Sequence, residues 1–186
     1  MDLLVDSWSE AVVIPIWDEA QLSFSVLPSK DIFYLPDMSS SMVTVPEGVP
    51  LPWEEQLQFV KGIVSQATTY DKGGIDIWPI FTSSALEKIG NPEIECLLNV
   101  TDPAKAINYV QGYKLKLRTT PTRKLFSRLV EKGVTEAIEN PASAKGPLFL
   151  ISTDGKPDED GPTMQETTNQ AIMALSRAGL DPTRYI

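Results

Sequence analysis

Five side chains with hard oxygen donors stand at spacings that suit a small divalent cation. Asp37-Met38-Ser39-Ser40-Ser41 reads as D-x-S-x-S, so Asp37, Ser39 and Ser41 recur at every second residue. Thr120 lies in Thr119-Thr120-Pro121-Thr122, and Asp154 in Thr153-Asp154-Gly155. Two carboxylates and three hydroxyls form the kind of ligand set that a hard cation takes in an octahedral array. The alternation in D-x-S-x-S turns its three side chains towards one point as the chain bends. The composition removes competing chemistries. Histidine is absent, which excludes Ser-His-Asp triads, Cys-His dyads and histidine-ligated zinc or haem. Cys96 is the single cysteine, so neither an internal disulfide nor a thiolate zinc cluster can form. Carboxylate and hydroxyl chemistry remains, and it suits hard cations such as Mg²⁺, Mn²⁺ or Ca²⁺, not zinc or a redox metal.

Charge narrows the partners. The 186 residues carry a formal net charge of −9, which argues against a general nucleic-acid binder or a ligand of anionic membranes. Against that background Lys114, Lys116, Arg118, Arg123 and Lys124 gather around Thr120. Such a cluster is either solvated surface or a positive rim that draws an acidic partner towards the cation. The first ten residues hold Asp2, Asp6 and Glu10 and no Lys or Arg, the reverse of a signal peptide's basic start. The early apolar run Ala11 to Trp17 is too short to span a bilayer. The reading is a cytoplasmic or nuclear protein.

The candidate ligands need a frame, and the hydrophobic pattern supplies one. Ile32-Phe33-Tyr34-Leu35 and Pro147-Leu148-Phe149-Leu150-Ile151 are continuous apolar runs, as expected of strands buried on both faces. Ile75-Asp76-Ile77-Trp78 follows the Gly73-Gly74 turn, with Pro79 limiting pairing at its end, and Glu95 to Val100 suits a short further strand. Between them lie helical stripes. One runs through Trp53, Leu57, Val60, Val64 and Ala67, another through Leu125, Leu129, Gly133 or Val134, and Ala137, and a third through Met164, Ala171, Ile172 and Leu175. Asp102-Pro103 and Thr120-Pro121 open helices. Thr163 with Glu166 makes a capping box, and Gly179 suits a C-terminal cap. Strands interleaved with helices predict an α/β fold, a Rossmann-like, mostly parallel sheet with helices on both faces. Residues 31–36, 74–79 and 147–152 should be adjacent parallel strands, with 31–36 central. Ligands bind such sheets beyond the carboxyl ends of the strands, where D-x-S-x-S, Thr120 and Asp154 fall.

These residues resemble the von Willebrand factor A domain and its metal-ion-dependent adhesion site. That family places D-x-S-x-S after the first strand, a threonine in a second loop and an aspartate after the fourth strand. The matching positions are Asp37, Ser39, Ser41, Thr120 and Asp154. Trp53, Tyr70-Asp71-Lys72-Gly73-Gly74-Ile75-Asp76-Ile77, Thr120-Pro121-Thr122 and Thr153-Asp154-Gly155 follow the order and spacing of its fungal-type intracellular branch. The resemblance divides the chain into an N-terminal extension, residues 1–29, able to form a β-hairpin, and a vWA-like domain, residues 30–186. That domain is short at its C-terminal end, because the family's fifth strand would begin near Ile186. The fourth strand is then expected at an apolar edge, which a partner or the strand-like N-terminal residues could cover.

The resemblance implies a protein-interaction module, not an enzyme. Ser39, Ser41 and Thr120 would bind Mg²⁺ through hydroxyl oxygens, Asp37 and Asp154 would hold its waters or bind directly, and a partner's Asp or Glu would complete the octahedron. Arg118, Thr119 and Arg123 stand where the family often has glycines, so the cation is expected to bind weakly. Two other readings keep their place: a degenerate, metal-free scaffold, and a magnesium-dependent phosphoryl-transfer enzyme with Asp37 as nucleophile. Each residue also has a plain use, Asp37 and the serines in a polar turn, Thr120 as a helix cap and Asp154-Gly155 as a turn.

Overall fold

The computed structural model describes residues 30–43, 51–70, 72–80, 96–112, 121–153 and 161–186. The N-terminal extension, Thr120, Asp154 and the basic residues Lys114, Lys116 and Arg118 lie outside them. Strand β1 spans Lys30–Pro36, β2 Ile75–Ile77, β3 Leu97–Val100 and β4 Gly146–Ser152. Their order in the sheet is β3-β2-β1-β4. β1 is central and parallel to both neighbours, with Ile32 opposite Ile75 on one side and Leu148 on the other. The arrangement expected of residues 31–36, 74–79 and 147–152 is therefore present. β3 runs antiparallel to β2 with a register shift between Ile75 and Ile77. Pro79 shortens β2 because it has no N–H to give the ladder. The parallel pairing still continues past it, with Trp78 N–H donating to the Tyr34 carbonyl at 2.8 Å and Ile80 N–H to that of Pro36 at 2.9 Å.

The period-two alternation of β1 divides the core between two faces. Ile32 and Tyr34 point to one face, where they meet Ile75, Ile77 and Val100. Helix α1, Pro52–Tyr70, and helix α2, Pro103–Gly112, cover that face with Val60, Val64, Ala67, Ala106 and Val110. Phe33 and Leu35 point the other way, towards Leu125 and Leu129 of α3, Thr122–Glu139. Helix α4, Met164–Arg177, packs on α3 through Ala171 against Phe126 and Val130. Helices on both faces of a mostly parallel sheet match the α/β expectation. β4 ends the strand order among the described residues, and Pro147 to Ser152 are all half-buried.

Local signals explain most element ends. Asp102 accepts from the Ala104 N–H at 2.8 Å ahead of Pro103. The Thr163 hydroxyl accepts from the Glu166 N–H while the Glu166 carboxylate accepts from the Thr163 N–H, a complete capping box. Gly179, at φ +76°, closes α4 with bonds from Gly179 N–H to the Ser176 carbonyl and from Leu180 N–H to that of Leu175. Two expectations need correcting. Thr120-Pro121 is expected to open α3 with Pro121 as its first residue, but α3 starts at Thr122 with Pro121 in the cap position and no side-chain cap bond. Ile172 is not on the packed stripe of α4; it is 38% exposed, because the contact face turns through Thr167, Ala171 and Leu175. Ahead of Ile186, Pro182–Tyr185 forms a short helix, α5, capped by Asp181 and anchored by the Tyr185 hydroxyl donating to the Pro141 carbonyl. No helix among the described residues is long and apolar enough to cross a membrane.

Candidate cation site

The chain leaves β1 through Asp37 and bends into a 3-10 turn, Ser40–Val43. Asp37 is fully buried and Ser39 nearly so. A buried carboxylate requires donors, and Asp37 has one for each oxygen. Oδ1 accepts from the Ser39 N–H at 2.7 Å, and Oδ2 accepts from the Thr153 hydroxyl at 2.6 Å. The first bond is an Asx turn that folds the loop back over its own start. The second ties the end of β1 to the residue after β4. The Ser39 and Ser41 hydroxyl oxygens are 2.7 Å apart. Asp37, Ser39 and Ser41 are thus brought together at the carboxyl end of the parallel strands.

Thr120 and Asp154 lie outside the described residues, but their nearest described neighbours can be placed. Thr153 touches the Asp37 carboxylate directly. Helix α3 begins at the same end of the sheet. Leu125 packs near Leu35 and Ile80, whereas Glu136, three turns on, lines a cavity with Asp31 at the start of β1. Arg123, in the first turn of α3, lends its charge to Glu166, whose carboxyl is held below its ordinary range first by the Thr163 N–H, then by the Thr163 hydroxyl, with Arg123 adding least. One of the arginines expected to repel a cation therefore acts in part on the capping box of α4.

Sequence reasoning missed the residues behind the loop. Gln56 of α1 bonds the Asp37 backbone on both sides, Ser152 bonds Gln56, and Tyr34 bonds Ser152. Burial pushes the Tyr34 phenol well above its ordinary range, with the Ser152 bond pulling weakly the other way, so the ring carries a proton at any neutral pH. Gln56 had a legible sign: it is a polar residue one step from Leu57, within the apolar stripe of α1, yet only 3% exposed. Thr153 stood in the quoted Thr-Asp-Gly segment and was given no role.

The chain matches no family model and no curated protein. The site must be judged on its own donors. Octahedral Mg²⁺ at about 2.0–2.1 Å from each oxygen has adjacent ligands roughly 2.9 Å apart. The Ser39–Ser41 oxygen separation of 2.7 Å is close to that edge. No cluster of three or more His, Cys, Asp or Glu side chains occurs among the described residues, so the described donors are hydroxyls grouped around one carboxylate. Hydroxyl and carboxylate oxygens are donors of the kind that a hard cation accepts.

Proposed function

We propose that this protein is an interaction module that engages an acidic group of a partner protein through Mg²⁺ or Mn²⁺ at the Asp37 loop. The observation that carries the reading is the pair of serine hydroxyls at octahedral-edge separation beside a buried carboxylate, at the carboxyl end of a parallel sheet. In this reading Ser39 and Ser41 hold the ion by their hydroxyl oxygens, joined by Thr120. Asp37 supplies negative charge from behind them, and Asp154 adds to it. A set rich in neutral hydroxyls leaves the ion a net positive charge, which a partner's Asp or Glu carboxylate satisfies. The vWA resemblance of the D-x-S-x-S, Thr-Pro-Thr and Thr-Asp-Gly segments supports the same assignment. Arg123 and Lys124, half-buried in the first turn of α3, add local positive charge to an acidic chain.

One observation favours a second reading, the metal-free scaffold. Ser39, Ser41, Asp37 and Thr153 satisfy one another by hydrogen bonds, so the loop has a stable form without an ion. An aspartyl nucleophile is the weakest of the readings, because full burial and a donor on each carboxylate oxygen obstruct in-line attack by Asp37. Calorimetric titration with Mg²⁺ and Mn²⁺ in the millimolar range separates the first two. Heats that vanish in Asp37→Ala support the cation reading. Identical heats for the two proteins would leave the scaffold.

A further inference from the structure

Gln56 is a buried polar side chain that the cation chemistry does not itself require. It is the fifth residue of α1, and its amide faces the backbone of Asp37. Oε1 accepts from the Asp37 N–H at 3.1 Å, and Nε2 donates to the Asp37 carbonyl at 2.9 Å. The Asp37 N–H also donates to the Ser152 carbonyl of the neighbouring strand at 2.9 Å, so the amide shares that N–H with the ladder and adds the donor to the Asp37 carbonyl. The Ser152 hydroxyl donates to the same Oε1. An amide oxygen only accepts, so Ser152 uses its hydrogen there, and the Tyr34 phenol, 2.7 Å away, must donate to Ser152. The Asp37 N–H and carbonyl fix which end of the amide faces which backbone group, and donor counting then fixes the order Tyr34 to Ser152 to Gln56.

We propose that Gln56 is the positioning residue of the Asp37–Ser41 loop, and through it of the loop's cation affinity. The affinity half of this rests on the cation reading above. Asp37 is the pivot: its carboxylate receives the Ser39 N–H, so the place of its backbone decides where the Ser39 hydroxyl stands. Both backbone groups of Asp37 are buried, and without Gln56 the carbonyl loses its donor. No near relative of glutamine replaces it. Glutamate has the acceptor but not the donor, asparagine is one methylene short, and leucine fills the space with no polar group.

The experiment compares wild type with Gln56→Ala, Gln56→Glu, Ser152→Ala and Asp37→Ala, reading Mg²⁺ affinity by calorimetry and amide hydrogen exchange. Loss of a group that orients a ligand weakens metal binding by about 10-fold or more. We expect a loss of about that size in Gln56→Ala and in Gln56→Glu, which keeps the size of the side chain if the alanine variant folds poorly. The Ser39 amide should exchange faster in both, with the amides of α4 unchanged. Ser152→Ala should lose less, and the Gln56→Ala, Ser152→Ala double variant no more than Gln56→Ala alone. Wild-type affinity in both Gln56 variants, where Asp37→Ala abolishes binding, would overturn the proposal. If the wild type shows no Asp37-dependent binding, the cation reading fails instead. The Ser39 exchange rate then decides the tether: faster exchange in the Gln56 variants supports it, and unchanged exchange overturns it.

Discussion

Asp37 and Asp76 are two aspartates on adjacent strands of one sheet, and they are treated oppositely. Asp37 lies at the carboxyl end of β1, fully buried, with a donor on each oxygen and a glutamine gripping its backbone. Asp76 lies within β2, half-buried, and accepts one backbone N–H, that of Asn99, at 2.9 Å. Lys132 is near Asp76 but also stands over the Trp78 ring, 5.5 Å from its centroid. Burial wins at Asp76: desolvation raises its carboxyl above the ordinary range, and the Asn99 bond and then Lys132 offset only part of that. Burial alone therefore does not mark a functional acid. What distinguishes Asp37 is that four residues, Ser39 of its own loop, Gln56 of α1, and Ser152 and Thr153 at the end of β4, bond its carboxylate or backbone.

The largest effect that tests the contrast is on folding. Asp37→Ala removes the acceptor of the buried Ser39 N–H and of the half-buried Thr153 hydroxyl; an unpaired buried donor costs about 1–3 kcal/mol and a half-buried one less. We expect a loss of about 2–4 kcal/mol in urea unfolding at neutral pH without added metal. A loss below that range would mean that water or a loop shift replaces the carboxylate, and the contrast with Asp76 would weaken.

A smaller effect should come from the backbone that supports Asp76. Gly74 has φ +81°, and a Cβ there would stand 2.5 Å from the Val100 carbonyl oxygen and 3.0 Å from the Asn99 carbonyl carbon. Asn99 itself has φ +53°, in the register shift between β2 and β3, where its N–H reaches Asp76. Gly74→Ala should cost about 1–3 kcal/mol, through a strained dihedral and a displaced β3. Nuclear magnetic resonance shifts should change at Asn99 and Val100 while those of the Asp37 loop stay in place. Movement at Ser39 would show that the two aspartates are not independent.

The contrast also explains what the sequence could disclose. The apolar runs of β1 and β4 announced buried parallel strands because parallel sheets are covered on both faces, and the observed register agrees. Caps were equally legible at Thr163 and Gly179, since their partners lie within a few residues. D-x-S-x-S was legible for the same reason: Asp37, Ser39 and Ser41 are near neighbours in the chain. Gln56 and Thr153 reach Asp37 from 19 and 116 residues away, and no local spacing encodes such a contact. Ile172 failed in another way. A helix surface can place 171, 172 and 175 on one broad stripe, and only the packing of α4 on α3 selects which edge of it is covered. The antiparallel turn of β3 and the positive φ of Asn99 left no sign in residue type alone.

The smallest effect concerns the charge on Asp76, and the expected change in stability has the opposite sign to that of Asp37→Ala. A carboxyl whose folded value is raised binds its proton more tightly in the native state than in the unfolded chain. Its contribution is fully present below the unfolded value, near pH 3.9, and is lost as pH rises through the raised folded value. At neutral pH the ionised Asp76 is thus a net cost. Asp76→Asn removes the charge and keeps an oxygen that accepts from the Asn99 N–H, at the loss of the attraction to Lys132. The variant should be modestly more stable than wild type at pH 7. That advantage should shrink as pH falls and disappear below the unfolded carboxyl value, where both side chains are neutral. Urea midpoints measured from pH 3 to pH 7 check it. An Asp76→Asn variant less stable than wild type at pH 7 would show that Lys132 and Asn99 outweigh desolvation, and that Asp76, like Asp37, is held by its partners.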